Sequence, residues 1–231
     1  MQIINKKYLN LNKLRKSFHD GKPFPHLILD NFLTQNFFKK LNLEGFNTLK
    51  KQGKNFNTDL EKNKWISKNS QLPKQIKLII NELNKKEWIN NLSQLSKIDN
   101  LFSTKVSNTD LANYHEMKEK GYLGPHVDHS SDPDTDSPHV LNLLLYLSKK
   151  WNYKWGGSTL LFDEKGKKII KEIQYRPNRA IIFLHTPYSF HGVKKISKNK
   201  YIRSSIYVDY YSNEISPYKN MNLKFEKKWF K

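Results

Sequence analysis

His139-Val140-Leu141-Asn142-Leu143-Leu144-Leu145-Tyr146-Leu147 is the most apolar stretch of this chain. Asn142 interrupts it, and it falls far short of the roughly 18 apolar residues that a membrane-spanning helix needs. It therefore reads as a strand of a soluble protein. Working outward, further short β-type runs separated by turn residues occupy Leu111–Met117, Tyr122–Asp128, Ser158–Phe162, Lys168–Tyr175, Ala180–His185 and Tyr201–Tyr210. Many short strands in series form a sandwich or barrel. Asp163-Glu164-Lys165-Gly166 between two of them reads as a hairpin turn.

The first hundred residues differ in texture. Leu27-Ile28-Leu29 is a strand candidate, and Thr34 suits the N-cap of a helix carrying Phe37, Phe38 and Leu41. A second helix opens at Pro73 and buries Ile76, Ile79, Ile80 and Leu83 at helical spacing. Lys50–Asn69, rich in lysine and asparagine, reads as a long surface connection. The expected organisation is one catalytic domain over 1–231: helical support in 1–100, a β core in 101–211, and a polar tail in 212–231 ending in Trp229 and Phe230.

The absence of cysteine excludes disulfides, zinc–thiolate centres, iron–sulfur clusters and cysteine nucleophiles. No secretory signal is legible at the N-terminus, so a cytoplasmic location is expected. The net charge of +20 invites a nucleic-acid partner. Against this, only Arg15, Arg176, Arg179 and Arg203 are arginines, and the lysines are spread along the chain. A dedicated nucleic-acid surface favours arginine forks in a local patch. The expected partner is a small molecule or peptide, with no membrane involved and the oligomeric state open.

Six of the eight histidines, His115, His126, His129, His139, His185 and His191, fall in the β-rich half. His126 and Asp128 lie two apart at a strand end, where period-two geometry turns both side chains to one face. Such a pair needs a third ligand to hold a metal, and His191, opening His191-Gly192-Val193, is the best candidate. Two histidines and one carboxylate leave coordination positions open and suit non-haem iron(II). Alternation along the last strand places Tyr201, Arg203, Ser205, Tyr207 and Asp209 on one face. Arg203 on this polar face can grip a ligand carboxylate, with Ser205 donating beside it; a structural ion pair is its alternative role.

His126-Val127-Asp128, His191 and Arg203-Ser204-Ser205, with Leu143–Leu147, Trp155-Gly156-Gly157 and Pro177–Phe183 between them, resemble the iron(II)/2-oxoglutarate-dependent oxygenases of the prolyl-4-hydroxylase-like group. The resemblance covers roughly Asn100 to Tyr211, and His26–Phe38 is similar to the family's opening segment. It implies a double-stranded β-helix, a jelly-roll or cupin-like core, buttressed by N-terminal helices. It also implies that His126, Asp128 and His191 bind Fe(II) and that Arg203 holds the distal carboxylate of 2-oxoglutarate. Ser205 matches the family's Arg-x-Ser pattern. Tyr146 matches a tyrosine that contacts the same carboxylate. Asn142, four residues earlier on that strand face, is a further cosubstrate contact, and Tyr114 resembles a pocket-lining tyrosine. Collagen-type members carry lysine where Arg203 stands, which argues against collagen-like substrates.

His185 is the rival to His191, but the spacing to Arg203 fits from His191. Asp132-Pro133-Asp134-Thr135-Asp136 resembles a calcium loop yet lacks its glycine and its closing glutamate. It reads as an acidic loop, a candidate lid beside the metal. The expected reaction consumes O2 and 2-oxoglutarate, with ascorbate as a stimulant, and hydroxylates a C–H bond of a peptidyl-proline, amino-acid or other small substrate. The alternatives are an AlkB-type oxidative nucleic-acid demethylase and a non-catalytic β-barrel binding module. The first lacks its second arginine after Arg203, and the intact triad argues against the second.

Overall fold

Strand β6 (His139–Tyr146) is buried along its whole length, because it lies between two partners and both of its faces are covered. It pairs antiparallel with β9 (Arg179–Leu184) on one side and β11 (Arg203–Tyr211) on the other. Its odd-numbered residues Leu141, Leu143 and Leu145 join the large core beneath the helices. Leu144 and Tyr146 point the opposite way, into a second core with Leu161, Ile173, Tyr175, Ile181 and Phe183. Burial on both faces is why this strand reads as a nearly continuous apolar run.

The computed structural model describes residues 2–41, 53–104, 113–197 and 200–213. The antiparallel sheet runs β1 (His26–Asp30), β9, β6, β11, β5 (Tyr114–His126), β10 (His191–Val193), β7 (Thr159–Phe162) and β8 (Ile169–Ile173). β5 belongs to both arms of this curled sheet. Its Tyr114–Met117 half pairs with β11, and its Leu123–His126 half pairs with β10. The turn between the halves is made at Lys120, whose φ is 64°. Sequence reading gives two strands here, Leu111–Met117 and Tyr122–Asp128; the structure has one bent strand, with 111–112 outside the described residues. Gly121 marks a bulge inside the strand instead of its end.

The N-terminal hundred residues supply helices and also strands. Lys50–Asn69, expected as a surface connection, contains β2 (Lys54–Phe56) and β3 (Glu61–Ser67), and β3 pairs with β5. These strands alternate lysine and asparagine with Trp65 and Ile66 and stay partly exposed, so they show no hydrophobic signature. The short β4 (Phe102–Ser103) pairs with β11. Thr34 caps α2 (Gln35–Lys40), accepting from the Phe37 amide at 3.4 Å. α3 (Lys74–Leu83) buries Ile76, Ile79, Ile80 and Leu83 as its spacing predicts. With α1 (Arg15–His19) and α4 (Lys86–Ser96) it covers the outer face of the β9–β6–β11 arm. The turn at Asp163–Gly166 forms as expected, the Gly166 amide donating to the Asp163 carbonyl at 2.9 Å. No helix among the described residues is long and apolar enough to cross a membrane. Trp229 and Phe230 lie outside the described residues.

Candidate active site

His126 ends β5 and His191 opens β10, and strand pairing sets them directly opposite each other, with ring centroids 4.4 Å apart. Asp128 follows just beyond the strand, Oδ1 lying 3.4 Å from His126 Nε2 and Oδ2 3.3 Å from His191 Nε2. His126 Nδ1 lies 3.0 Å from the Gly124 carbonyl and His191 Nδ1 3.0 Å from the Ser189 carbonyl. A carbonyl only accepts, so each Nδ1 carries the proton and each Nε2 turns a lone pair toward Asp128. Burial pushes the His191 imidazole down to about 4, keeping it neutral. Burial works against charge on Asp128 as well, and its carboxyl falls well below the usual range only with positive charge at His191 and His126, the part a bound cation takes when both rings are neutral. The three side chains place one ligand atom each within 4.8 Å of one another. Converging lone pairs around one carboxylate need a cation, and this donor set fits iron(II).

The rival histidines lie elsewhere. His139 stacks between His129 and His185, at centroid separations of 4.9 and 4.1 Å. His185 Nδ1 meets the His139 carbonyl at 3.0 Å, and none of these three belongs to the ligand cluster.

The triad opens onto a cavity of about 480 Å³ that Arg203, Ser205, Tyr207 and Asp209 line together, the face that alternation along β11 predicts. Arg203 is 3% exposed and makes no ion pair among the described residues, so its alternative as a structural salt bridge does not hold. Nε donates to the Gly157 carbonyl at 2.8 Å, and the guanidinium carbon sits 5.2 and 5.1 Å from the Tyr146 and Tyr175 rings. Its Nη2 is buried without a hydrogen-bond partner. An unpaired buried guanidinium is costly, and a ligand carboxylate is the chemistry that satisfies it. Ser205 Oγ accepts from Nη1 at 3.4 Å, which leaves its own proton for the same anion. Gly157 has a φ of 74°, and a Cβ there would lie 3.2 Å from Arg203 Cδ, so the close approach requires glycine.

Tyr146 stacks on Tyr175 at 4.3 Å and shares a 2.6 Å hydrogen bond with Thr159, which itself lines the cavity. Asn142 lies further from Arg203 along β6 and donates to Asp128 Oδ2 at 3.3 Å. Tyr114 does not line the pocket. Its hydroxyl donates to Glu116 at 2.8 Å inside the helix-side core, and its neighbour His115 faces the cavity instead, stacked on Tyr207. Adjacent strand residues face opposite ways, so a resemblance displaced by one residue selects the wrong face. The acidic loop meets the cavity only in part. Asp132 is buried, accepting from Thr104 and Thr135, and Asp136 accepts from Ser131, so of these three only Asp134 lines the cavity.

Tyr207 is a functional residue that the sequence placed on the right face without a role. Its hydroxyl lies 2.7 Å from Asp128 Oδ2 and 3.1 Å from His191 Nε2. Burial and the nearby carboxylates raise its hydroxyl well above the usual tyrosine range, so it stays a donor. Thr159 and Tyr175, reached from β7 and from beyond β8, carried no local signal.

A curled antiparallel sheet enclosing two histidines, one aspartate and a buried arginine defines a double-stranded β-helix oxygenase. The profile of the 2OG-Fe(II) oxygenase superfamily matches residues 110–208, a span containing all four of those residues, and that match implies Fe(II), 2-oxoglutarate and O2. In fold it is prolyl-4-hydroxylase-like. A Trichoplax adhaerens prolyl hydroxylase, solved with a hypoxia inducible factor oxygen degradation domain peptide, aligns with a TM-score of 0.65 at 17% identity, covering 89% of this chain and 91% of that one. A Pseudomonas putida prolyl-4-hydroxylase aligns with a TM-score of 0.61 at 12% identity, over 88% and 99%. The viral collagen prolyl hydroxylase of Paramecium Bursaria Chlorella virus-1, in its 2OG complex, gives 0.51 at 16%, over 80% and 94%. No curated protein matches the chain by sequence.

Proposed function

We propose that the protein hydroxylates a C–H bond of a peptidyl, amino-acid or other small substrate, with 2-oxoglutarate and O2 consumed and succinate and CO2 released. One oxygen atom enters the substrate and the other enters succinate. The observation that carries the reading is the shared cavity: a cation site of His126, Asp128 and His191 and an unpaired buried guanidinium open onto the same space. Bound iron supplies oxygen activation; the protein's part is to position and enclose. Each histidine's backbone-anchored Nδ1 fixes its ring, while Tyr207 and Asn142 hold Asp128 at Oδ2. Arg203, braced by the Gly157 carbonyl and two tyrosine rings, orients the cosubstrate's distal carboxylate.

The test separates the two ends of the cavity. His126→Ala, Asp128→Ala or His191→Ala should lose iron. Arg203→Ala should keep iron yet bind 2-oxoglutarate about ten- to a hundredfold more weakly, the loss of one buried charge-assisted contact. Iron quantitation and 2-oxoglutarate titration decide this; unaltered cosubstrate affinity in Arg203→Ala would sink the reading.

A further inference from the structure

The cavity has a second charged wall that iron and 2-oxoglutarate leave unused. Asp209, on β11, lines it with His129, Pro133 and Asp134. The Asp209 side chain is 16% exposed, and Oδ1 is shielded without a hydrogen-bond partner. Facing it at 3.5 Å is Nε2 of the wholly buried His139, which also lacks a partner. His139 Nδ1 is engaged by the His129 carbonyl at 2.9 Å, so Nε2 turns a lone pair toward the carboxylate. Burial pushes this imidazole down to about 4, and a neutral ring does not balance a carboxylate. The remaining neighbour, His129 Nε2, is 3.7 Å from Oδ2 and already bonded to the Tyr211 hydroxyl at 2.8 Å.

The cavity's own cations are committed elsewhere. Lys64 Nζ pairs with Glu61 at 2.8 Å, and Arg203 is held against Gly157. No third group donates between Asp209 and His139, and burial raises the Asp209 carboxyl to about 7, so it stands ionised above neutral pH without a countercharge, beside a cavity that also carries Asp134. Anionic acceptors at the rim of an enclosed space select a cationic ligand, and in a chain of net charge +20 this acidic wall runs against the overall balance.

We infer that this wall is the substrate subsite for an organic cation bearing N–H donors, an ammonium or guanidinium group, received by Asp209. The inference rests on the oxygenase reading above and narrows its substrate class.

The experiment uses protein loaded with Fe(II) and 2-oxoglutarate without oxygen, titrated calorimetrically at pH 8, where Asp209 is ionised, with Nα-acetyl-lysine and Nα-acetyl-arginine methylamides. Their uncharged near-isosteres, the norleucine and citrulline derivatives, serve as controls. Each cation should bind at least about tenfold more tightly than its control, the expected scale for a charge-assisted hydrogen bond. In Asp209→Asn the preference should fall to within about twofold, with iron content and 2-oxoglutarate affinity unchanged; Asp209→Glu should restore part of it. Equal binding of cation and isostere, no measurable binding of either cation, or a preference that survives Asp209→Asn would each overturn the inference. If Asp209→Asn does not fold, the wild-type comparison and Asp209→Glu still decide. Iron and cosubstrate are measured on the same samples. Failure to bind them defeats the oxygenase reading and this inference with it; their binding without cation preference defeats this inference alone.

Discussion

A single phenol shows how closely residue identity is tied to the metal centre. Tyr207 donates to Asp128 Oδ2 at 2.7 Å, and with Asn142 it leaves Oδ1 as the freer ligand atom. Tyr207→Phe removes that donor while keeping the ring against His115. Iron affinity should fall by about ten- to a hundredfold, as with other partners of metal-ligating groups, and an equilibrium competition with a chelator measures it. Asp209 yields a pH prediction. Burial raises its carboxyl from 3.8 to about 7. Because the folded state holds the proton more tightly, the stability it contributes is present below about 4 and lost as pH rises through about 7. Asp209→Asn never carries that cost. Its stability relative to wild type should therefore improve by about 2–4 kcal/mol between pH 4 and pH 8, read from urea unfolding. A pH-independent difference would show that Asp209 titrates alike in folded and unfolded chains.

Elements carry the site by pairing. The β5–β10 register sets His126 opposite His191, and the β11 alternation sets Arg203, Tyr207 and Asp209 on one wall. The helices act at a distance. α3 contributes four buried side chains to the outer core and none to the cavity. Ile79→Ala should cost about 2–5 kcal/mol of unfolding free energy, the range for buried large-to-small changes. Iron stoichiometry of the folded fraction should stay at the wild-type value, because no α3 residue touches a ligand. Legibility followed burial at this scale. α3 and β6 bury apolar side chains at regular spacing and were readable; β2 and β3, built of lysine and asparagine at a partly exposed edge, were not.

For the whole molecule, the charge of +20 is the dominant feature outside the cavity. It is carried mostly by lysines spread over the chain, and diffuse phosphate contacts of that kind are non-specific. Binding to generic duplex or single-stranded nucleic acid should be weak and should collapse between low and physiological salt, as a filter-binding series would show. Affinity that persists at physiological salt would point instead to a dedicated surface.

The ligand pair His126 and Asp128 and the polar face of Arg203, Ser205, Tyr207 and Asp209 were determined by the sequence itself. They depend only on the two-residue period of an extended chain, which is local covalent geometry. Which histidine completes the triad depended on pairing between β5 and β10, strands separated by more than sixty residues. Whether Tyr114 or His115 faces the cavity depended on register, where one residue of slip exchanges the two faces of a strand. The neutral, stacked state of His139 and His185 depended on burial supplied by distant segments. Spacing along the chain could name the donors, but only long-range packing decided which of them share one volume and which are shielded from water.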